Sequence, residues 1–73
     1  MSELARFMGD LLSMGMRREL VIEKGYEYAL AQQISNQRKG DAVSPMMMSL
    51  AASQLMSALP EAYRIHESRN RIW

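Results

Sequence analysis

An uncharged, methionine-rich run occupies much of the second half of this sequence. No Asp, Glu, Lys or Arg occurs from Ala42 to Pro60, and Pro45 to Leu59 is PMMMSLAASQLMSAL. On a helical wheel the apolar residues of this run lie on almost every side, and a helix that is apolar all round is expected to be buried all round. Because one partner helix cannot bury it, the run predicts self-association or a foreign partner.

The chain is too short for its own core to stabilise it easily. Its 73 residues form one domain, 1–73, and a domain of that size buries only about 60% of the surface of its unfolded chain. Disulfides, metals or oligomerisation usually supply the missing stability. The sequence has no cysteine and a single histidine, His66, so we expect no disulfide, no metal and no cofactor. Oligomerisation remains.

The charge balance and the N-terminal residues bear on partners and location. Nine basic and eight acidic residues nearly cancel, so net charge gives no general case for nucleic acid or an anionic membrane. The N-terminal residues lack the basic region, apolar core and cleavage site of a signal peptide. The uncharged run contains four serines and a glutamine, whereas a span needs about 20 predominantly apolar residues. We expect a cytoplasmic protein that does not enter the membrane.

The first third of the chain predicts a short helix. Ser2 can cap a helix from Glu3 to about Ser13, and its apolar residues fall on one stripe. Gly15 is a typical stop signal. About ten residues are marginal as an isolated helix, so we expect this segment to pack across other helices.

A longer helix is predicted from Met16 to about Lys39, with Gly40 at its end. Two apolar stripes run along it, with centres about 120° apart. One stripe can face a neighbouring helix of the same chain while the other faces a different neighbour. The first stripe contains Met16, Leu20, Leu30, Ala31 and Ile34, and the second contains Ile22, Tyr26 and Ala29.

The third helix has a strong start signal and an internal proline. Ser44 suits the N-cap and Pro45 the first helical position, and the short connection before them favours an antiparallel pair. Pro60 predicts a kink or break near Leu59, because proline removes a hydrogen bond and clashes with the preceding turn. The predicted fold is all-α: an antiparallel helical hairpin with a short N-terminal helix, self-associating into a helical bundle.

Two sets of residues are candidates for protein contacts. Methionine side chains are flexible and polarisable, and they recur on surfaces that accept varied partners; Tyr is enriched at interface centres. Tyr28 and Met47 are therefore candidates for contact with a foreign protein. The alternative is that the methionines fill the core of a homo-oligomer, most simply a dimer. The predicted oligomer interface consists of Ile22, Tyr26, Met48, Leu55, Met56 and Leu59.

Arginines form a third candidate site. A hairpin would bring five of them toward one end of the molecule, where they could hold a phosphate or carboxylate group. Three glutamates in the same zone, Glu19, Glu61 and Glu67, would neutralise much of that charge. The possible anion-binding residues are Arg17, Arg18, Arg64, Arg69 and Arg71.

No catalytic pattern is present in the sequence. Glu23 and Glu27 share a helix face, but the Glu-x-x-His motif of carboxylate-bridged metal sites is missing. His66 is the single histidine, and the chain has no cysteine that could pair with it. The sequence contains no Ser–His–Asp pattern, Walker loop or dinucleotide-binding fingerprint. We expect no enzymatic activity.

The sequence thus predicts a small non-enzymatic helical protein that homo-oligomerises and binds another protein to inhibit or regulate it. Such proteins are common among the inhibitors that bacteriophages and mobile elements encode, which is an analogy of class alone. Two alternatives stay open. One is an oligomeric binder of nucleotides, other small anions or nucleic acid through the arginine-rich end. The other is a structural subunit of a larger assembly.

Overall fold

A computed structural model describes residues 2–36 and 42–71, and within these ranges the chain contains three α-helices and no strand. Helix α1 spans Glu3–Ser13, α2 spans Arg18–Ser35 and α3 spans Pro45–Arg71. The prediction of an all-α protein is confirmed. Each helix contacts both of the others, so all three share one core.

Three local signals in the sequence set helix ends as predicted. The Ser2 hydroxyl accepts a hydrogen bond from the backbone N–H of Ala5 at 3.1 Å, and the Ser44 hydroxyl accepts one from the N–H of Met47 at 3.3 Å. Each bond satisfies one of the N–H groups that a helix start leaves without a partner. Gly15 has a φ of 87°, a conformation that other residues rarely adopt, and it ends the turn after α1.

Helix α2 is shorter than its apolar pattern predicts. It begins at Arg18 because Met16 is still part of the preceding turn: its N–H donates to the carbonyl of Leu11 at 3.2 Å. Arg17 is extended, with a ψ of 147°. The helix ends at Ser35, four residues before the predicted end at Lys39, which lies outside the described residues together with Arg38 and Gly40.

Helix α3 continues through Pro60, so of the predicted kink or break the break does not occur. Proline removes the hydrogen bond that its N–H would donate to the carbonyl of Met56, four residues earlier. Pro60 itself is exposed, and water can therefore satisfy that carbonyl. The interruption costs little on this side of the helix, while Leu55 and Leu59 on the other side remain packed in the core.

The three helices meet around Met8, whose side chain is fully buried. A Cβ atom added to Gly25 of α2 would lie 2.8 Å from Met8 Sδ and 3.0 Å from Leu55 Cδ1 of α3. Gly25 therefore provides the space in which the side chains of α1 and α3 come together. The other residues of this core cluster are mostly small: Leu4, Ala5, Leu12, Val21, Ala29, Ala51, Ala58, Leu59 and Ala62. Met47, near the start of α3, is buried outside this cluster.

A second glycine sets the approach of α1 to α3, and it gives the first prediction. A Cβ on Gly9 would lie 2.9 Å from Ile65 Cγ2, 3.1 Å from Ile65 Cβ and 3.4 Å from the carbonyl oxygen of Ala62. A Cβ and a backbone oxygen cannot move aside by changing rotamer. We expect Gly9→Ala to lower the free energy of unfolding by about 1–2 kcal/mol, although alanine favours helix by about 1 kcal/mol.

Urea denaturation at a fixed protein concentration measures this loss, and Ile65→Ala provides the control. That substitution removes Cγ2, the closest atom, so the double variant should be about 1 kcal/mol more stable than the sum of the two single changes implies. Strict additivity of the two losses would show that this contact does not limit helix approach.

An aromatic stack and polar contacts hold the two ends of α1 against the other helices. Near its start, Phe7 stacks on Tyr28 with ring centroids 4.6 Å apart, and the Tyr28 hydroxyl lies 3.4 Å from a Glu3 carboxylate oxygen. Near its end, Asp10 and Arg69 form an ion pair of 2.7 Å. These groups are partly exposed, so each contributes on the order of 1 kcal/mol or less, and their main effect is to orient α1.

Candidate interaction surface

Helix α1 lies along one side of α2 and α3. On α2 its neighbours are Gly25 and Tyr28, three residues apart, and therefore on one stripe of the helix. On α3 its neighbours are Ala62, Ile65 and Arg69, which also fall on one stripe. Both stripes border the α2–α3 contact, so α1 covers only one of the two faces that this helix pair presents.

The opposite side of the pair is an apolar surface, here called the open face. It lies about 130° around α2 and about 105° around α3 from the stripes that α1 covers. Its α3 side is the more exposed, since Met56 is 64% exposed and Met48 is 41% exposed, whereas its large α2 side chains are partly buried and pack against the core of the chain. The residues of the open face are Ile22, Tyr26 and Leu30 of α2 with Met48, Ala52 and Met56 of α3.

The overall dimensions are those of an elongated molecule. The molecule measures 48 × 22 × 17 Å, and its radius of gyration is 13.4 Å, compared with about 11 Å for a compact domain of this length. Its accessible surface is 5430 Å², compared with about 4600 Å² for a compact monomer of this mass. The chain therefore exposes about 800 Å² more than a compact fold would.

Four of the six predicted interface residues lie on the open face: Ile22, Tyr26, Met48 and Met56. The other two, Leu55 and Leu59, are buried within the single chain, so they have no surface to give to a second copy. The predicted interface did not include Leu30 and Ala52, which also lie on the open face. Their spacing could have indicated both, because each lies four residues from a predicted interface residue on the same helix.

The structure places both predicted partner-binding residues against other parts of the same chain. Met47 is 4% exposed and belongs to the core, and its sulfur also accepts from the N–H of Ser44 at 3.4 Å. Tyr28 is half-buried between Phe7 and the α1 start. Met47 therefore has almost no exposed surface, and Phe7 occupies one side of the Tyr28 ring.

A second exposed apolar strip, here called the outer edge, is formed by Met46 and Leu50. Met46 is 73% exposed and Leu50 is 47% exposed. The two lie four residues apart, on one stripe of α3, and that stripe is about 160° around the helix from Met48. The first part of α3 thus presents apolar side chains on two opposite sides, while only Met47 and Ala51 between them are buried.

The five predicted anion-binding arginines have different surroundings. Arg69 is bound to Asp10 and also lies 3.2 Å from the Ser13 hydroxyl, while the Arg18 guanidinium lies over the Tyr63 ring at 6.0 Å. Arg64 and Arg71 share the exposed side of α3, about 140–160° around the helix from Arg69. Arg17 is exposed at the start of α2. Arg69 and Arg18 are therefore engaged with other groups of the same chain, and Arg69 lies on a different side of α3 from Arg64 and Arg71.

The carboxylates and the histidine are dispersed as well. Glu27 lies 3.9 Å from Lys24 on the surface of α2, and Glu23 is exposed. The His66 ring nitrogen Nε2 lies 3.2 Å from the Asn70 side-chain amide. Across residues 2–36 and 42–71 there is no group of three or more His, Asp or Glu side chains that could hold a metal ion.

A groove of about 520 Å³ lies beside the start of α1. Glu3, Gln32 and Gln54 are among its polar lining residues, together with three serines. It is open to solvent and contains no histidine or lysine that could activate a serine as a nucleophile. The groove therefore offers hydrogen bonds but no assembled catalytic group.

No protein family, no curated protein and no solved structure matches this chain. None of the helices in the part of the chain that the structure describes combines the length and the apolar character that crossing a bilayer requires.

Proposed function

We propose that this chain is a small non-enzymatic helical protein that self-associates and binds another protein, which it thereby inhibits or regulates. In this proposal α2 and α3 form an antiparallel hairpin, with α1 along one side. The supporting contacts run in opposite chain order, since Arg18 lies over Tyr63 and Gly25 lies against Leu55. The observation that carries the proposal is the exposure of apolar side chains on two opposite sides of α3.

Self-association is supported by the open face. Met48 and Met56 are exposed and the apolar α2 side chains beside them are only partly buried, so covering this face would add stability at about 25 cal/mol per Å² of apolar surface removed from water. Exposed apolar patches of several hundred Å² typically mark protein interaction sites. The open face joins two helices along their length, which is a suitable shape for contact with a second helical pair.

Binding of a foreign protein is supported by the outer edge. Met46 and Leu50 lie on the other side of α3 from Met48, so the outer edge stays accessible when the open face is covered. An unbranched methionine adapts to varied surfaces, and two apolar residues at i, i+4 spacing are the usual anchors of a helix that docks in a groove. A target held there would be inhibited by steric cover of its own binding surface.

The test is capture of a target by the full chain, followed by reconstitution with that purified target. We expect Leu50→Glu and Met46→Glu to weaken binding at least about 30-fold, because each places a carboxylate in the apolar contact. Isothermal titration measures the Kd, and an assay of the target's own activity measures the inhibition. Met14→Glu is the matched control, since Met14 is 77% exposed in the turn after α1.

Two results would contradict this function. One is full-affinity binding by both outer-edge variants. The other is binding without any effect on the target. Capture of nucleotide or nucleic acid whose affinity falls steeply with added salt would favour the anion-binding alternative, and open-ended polymers in light scattering would favour a structural subunit.

A further inference from the structure

We infer that a second copy of this chain covers the open face, in a two-fold dimer in which α2 of each copy packs on α3 of the other. This inference rests on the proposed self-association and adds the surface and the orientation. In this dimer the two α2–α3 pairs form a four-helix bundle, and the two α1 helices lie on its outside. The outer edges of both copies then remain free for a target.

The symmetry of a dimer suits the open face. A two-fold dimer places the same apolar patch on both sides of the contact, so each copy covers the surface that it also presents.

Two face-to-face arrangements have two-fold symmetry. When the axis runs along the helices, α2 lies on α3 of the partner, and both ends of the molecule stay aligned. When the axis runs across the helices, α2 lies on α2 of the partner with the ends reversed. Both bury the open face, so apolar contacts do not distinguish them; the charges at its borders do.

The two borders of the open face carry opposite charges. The α2 border carries three exposed carboxylates, Glu19, Glu23 and Glu27, and the α3 border carries the exposed guanidinium groups of Arg64 and Arg71. An axis across the helices would bring one acidic border against another. Of these groups Glu27 has an ion-pair partner in the described residues, Lys24, so its charge is partly compensated. The axis along the helices avoids the repulsion and places carboxylates beside arginines.

The pairing between α2 and α3 sets which charges meet. Arg18 of α2 lies over Tyr63 of α3, so Glu19 and Arg64 stand at nearly the same height on opposite borders. Rotation about an axis along the helices does not change the position of a residue along that axis. Glu19 therefore lies within about one helical turn of Arg64 of the partner subunit, a distance of about 5 Å that an arginine side chain can bridge. The symmetry makes this contact twice.

Charge reversal at these two positions tests both the face and the orientation. We expect Glu19→Arg and Arg64→Glu each to weaken the homodimer about tenfold, because each creates two like-charge contacts. Mixing the two variants should form the heterodimer in preference to either homodimer, since both contacts are then between opposite charges. Native mass spectrometry of the mixture, with one variant isotopically labelled, gives the three dimer populations directly.

The controls separate this inference from the proposed function. Arg71→Glu lies on the same border about two turns away from Arg64 and should show no preference for Glu19→Arg. A preference of Glu19→Arg for the wild-type chain would overturn the orientation and indicate the axis across the helices. A purely statistical mixture would overturn it as well. A monomeric wild-type chain at micromolar concentration would overturn self-association itself. Binding of a target at Leu50 is measured separately, and it does not depend on the dimer orientation or on self-association.

Discussion

Replacing Met8 by alanine should lower the free energy of unfolding by about 2–5 kcal/mol, the range for large-to-small changes in a packed core. The Met8 side chain is fully buried and fills the space that Gly25 leaves between α1, α2 and α3. A chain of this length has a total stability of about 4–11 kcal/mol. Loss of one side chain at this junction therefore removes a large part of it.

The matched control is Met14→Ala. Met14 is the same residue type, six positions along the chain, and lies exposed at the end of α1; we expect a change within about 0.5 kcal/mol. Urea denaturation followed by circular dichroism compares the two at one protein concentration, because self-association adds to the apparent stability. Equal losses for both variants would show that α1 does not pack on the α2–α3 pair as described.

Local signals in the sequence predict the starts of α1 and α3 and the turn after α1, because they act within a few residues. The Ser2 and Ser44 caps and the Gly15 turn occur as predicted. The start of α2 is less predictable, because no side chain caps it. It begins at Arg18 and not at Met16, since the Met16 N–H still belongs to the turn after α1.

Periodicity did not identify the buried side of α2, and Gly25 explains why. The sequence predicted two apolar stripes without deciding which faces the rest of the chain; Leu20 and Ile34 of the first stripe are substantially exposed. The buried stripe is Val21, Gly25 and Ala29. A glycine and an alanine contribute little to an apolar pattern, although their small size is what admits Met8 and Leu55. Periodicity measures hydrophobicity, and close helix packing also depends on the absence of side-chain volume.

The methionine-rich run shows the same limit for the candidate surface. A helix that is apolar on every side predicts burial but does not indicate which side faces the chain's own core. In α3 that side is set by small residues, Ala51, Ala58 and Ala62, which let α1 and α2 approach. Met47 falls on this side, and Met46 and Met48 fall outside it. The sequence therefore indicated an apolar stretch but not which of its methionines is buried, and Met47 is the buried one.

Replacing Met56 by glutamate should dissociate the proposed dimer while leaving each chain folded. In the single chain this side chain is mostly exposed, so the carboxylate stays hydrated and the helix remains stable. In the dimer it would be buried against apolar side chains without a partner, and symmetry introduces it twice. We expect the dimer Kd to rise at least about 100-fold, which corresponds to about 2.7 kcal/mol. Met48→Glu should act in the same direction.

Met46→Glu is the decisive control for Met56→Glu. It makes the same chemical change on the same helix, at a side chain that is also mostly exposed, but on the outer edge. Molar mass from light scattering across a concentration series should give twice the chain mass for Met46→Glu and the single 8.4 kDa mass for Met56→Glu. Helical circular dichroism should match wild type in both. If Met46→Glu dissociates the dimer and Met56→Glu does not, the contact lies on the outer edge, and the open face must then be the surface that receives the foreign protein.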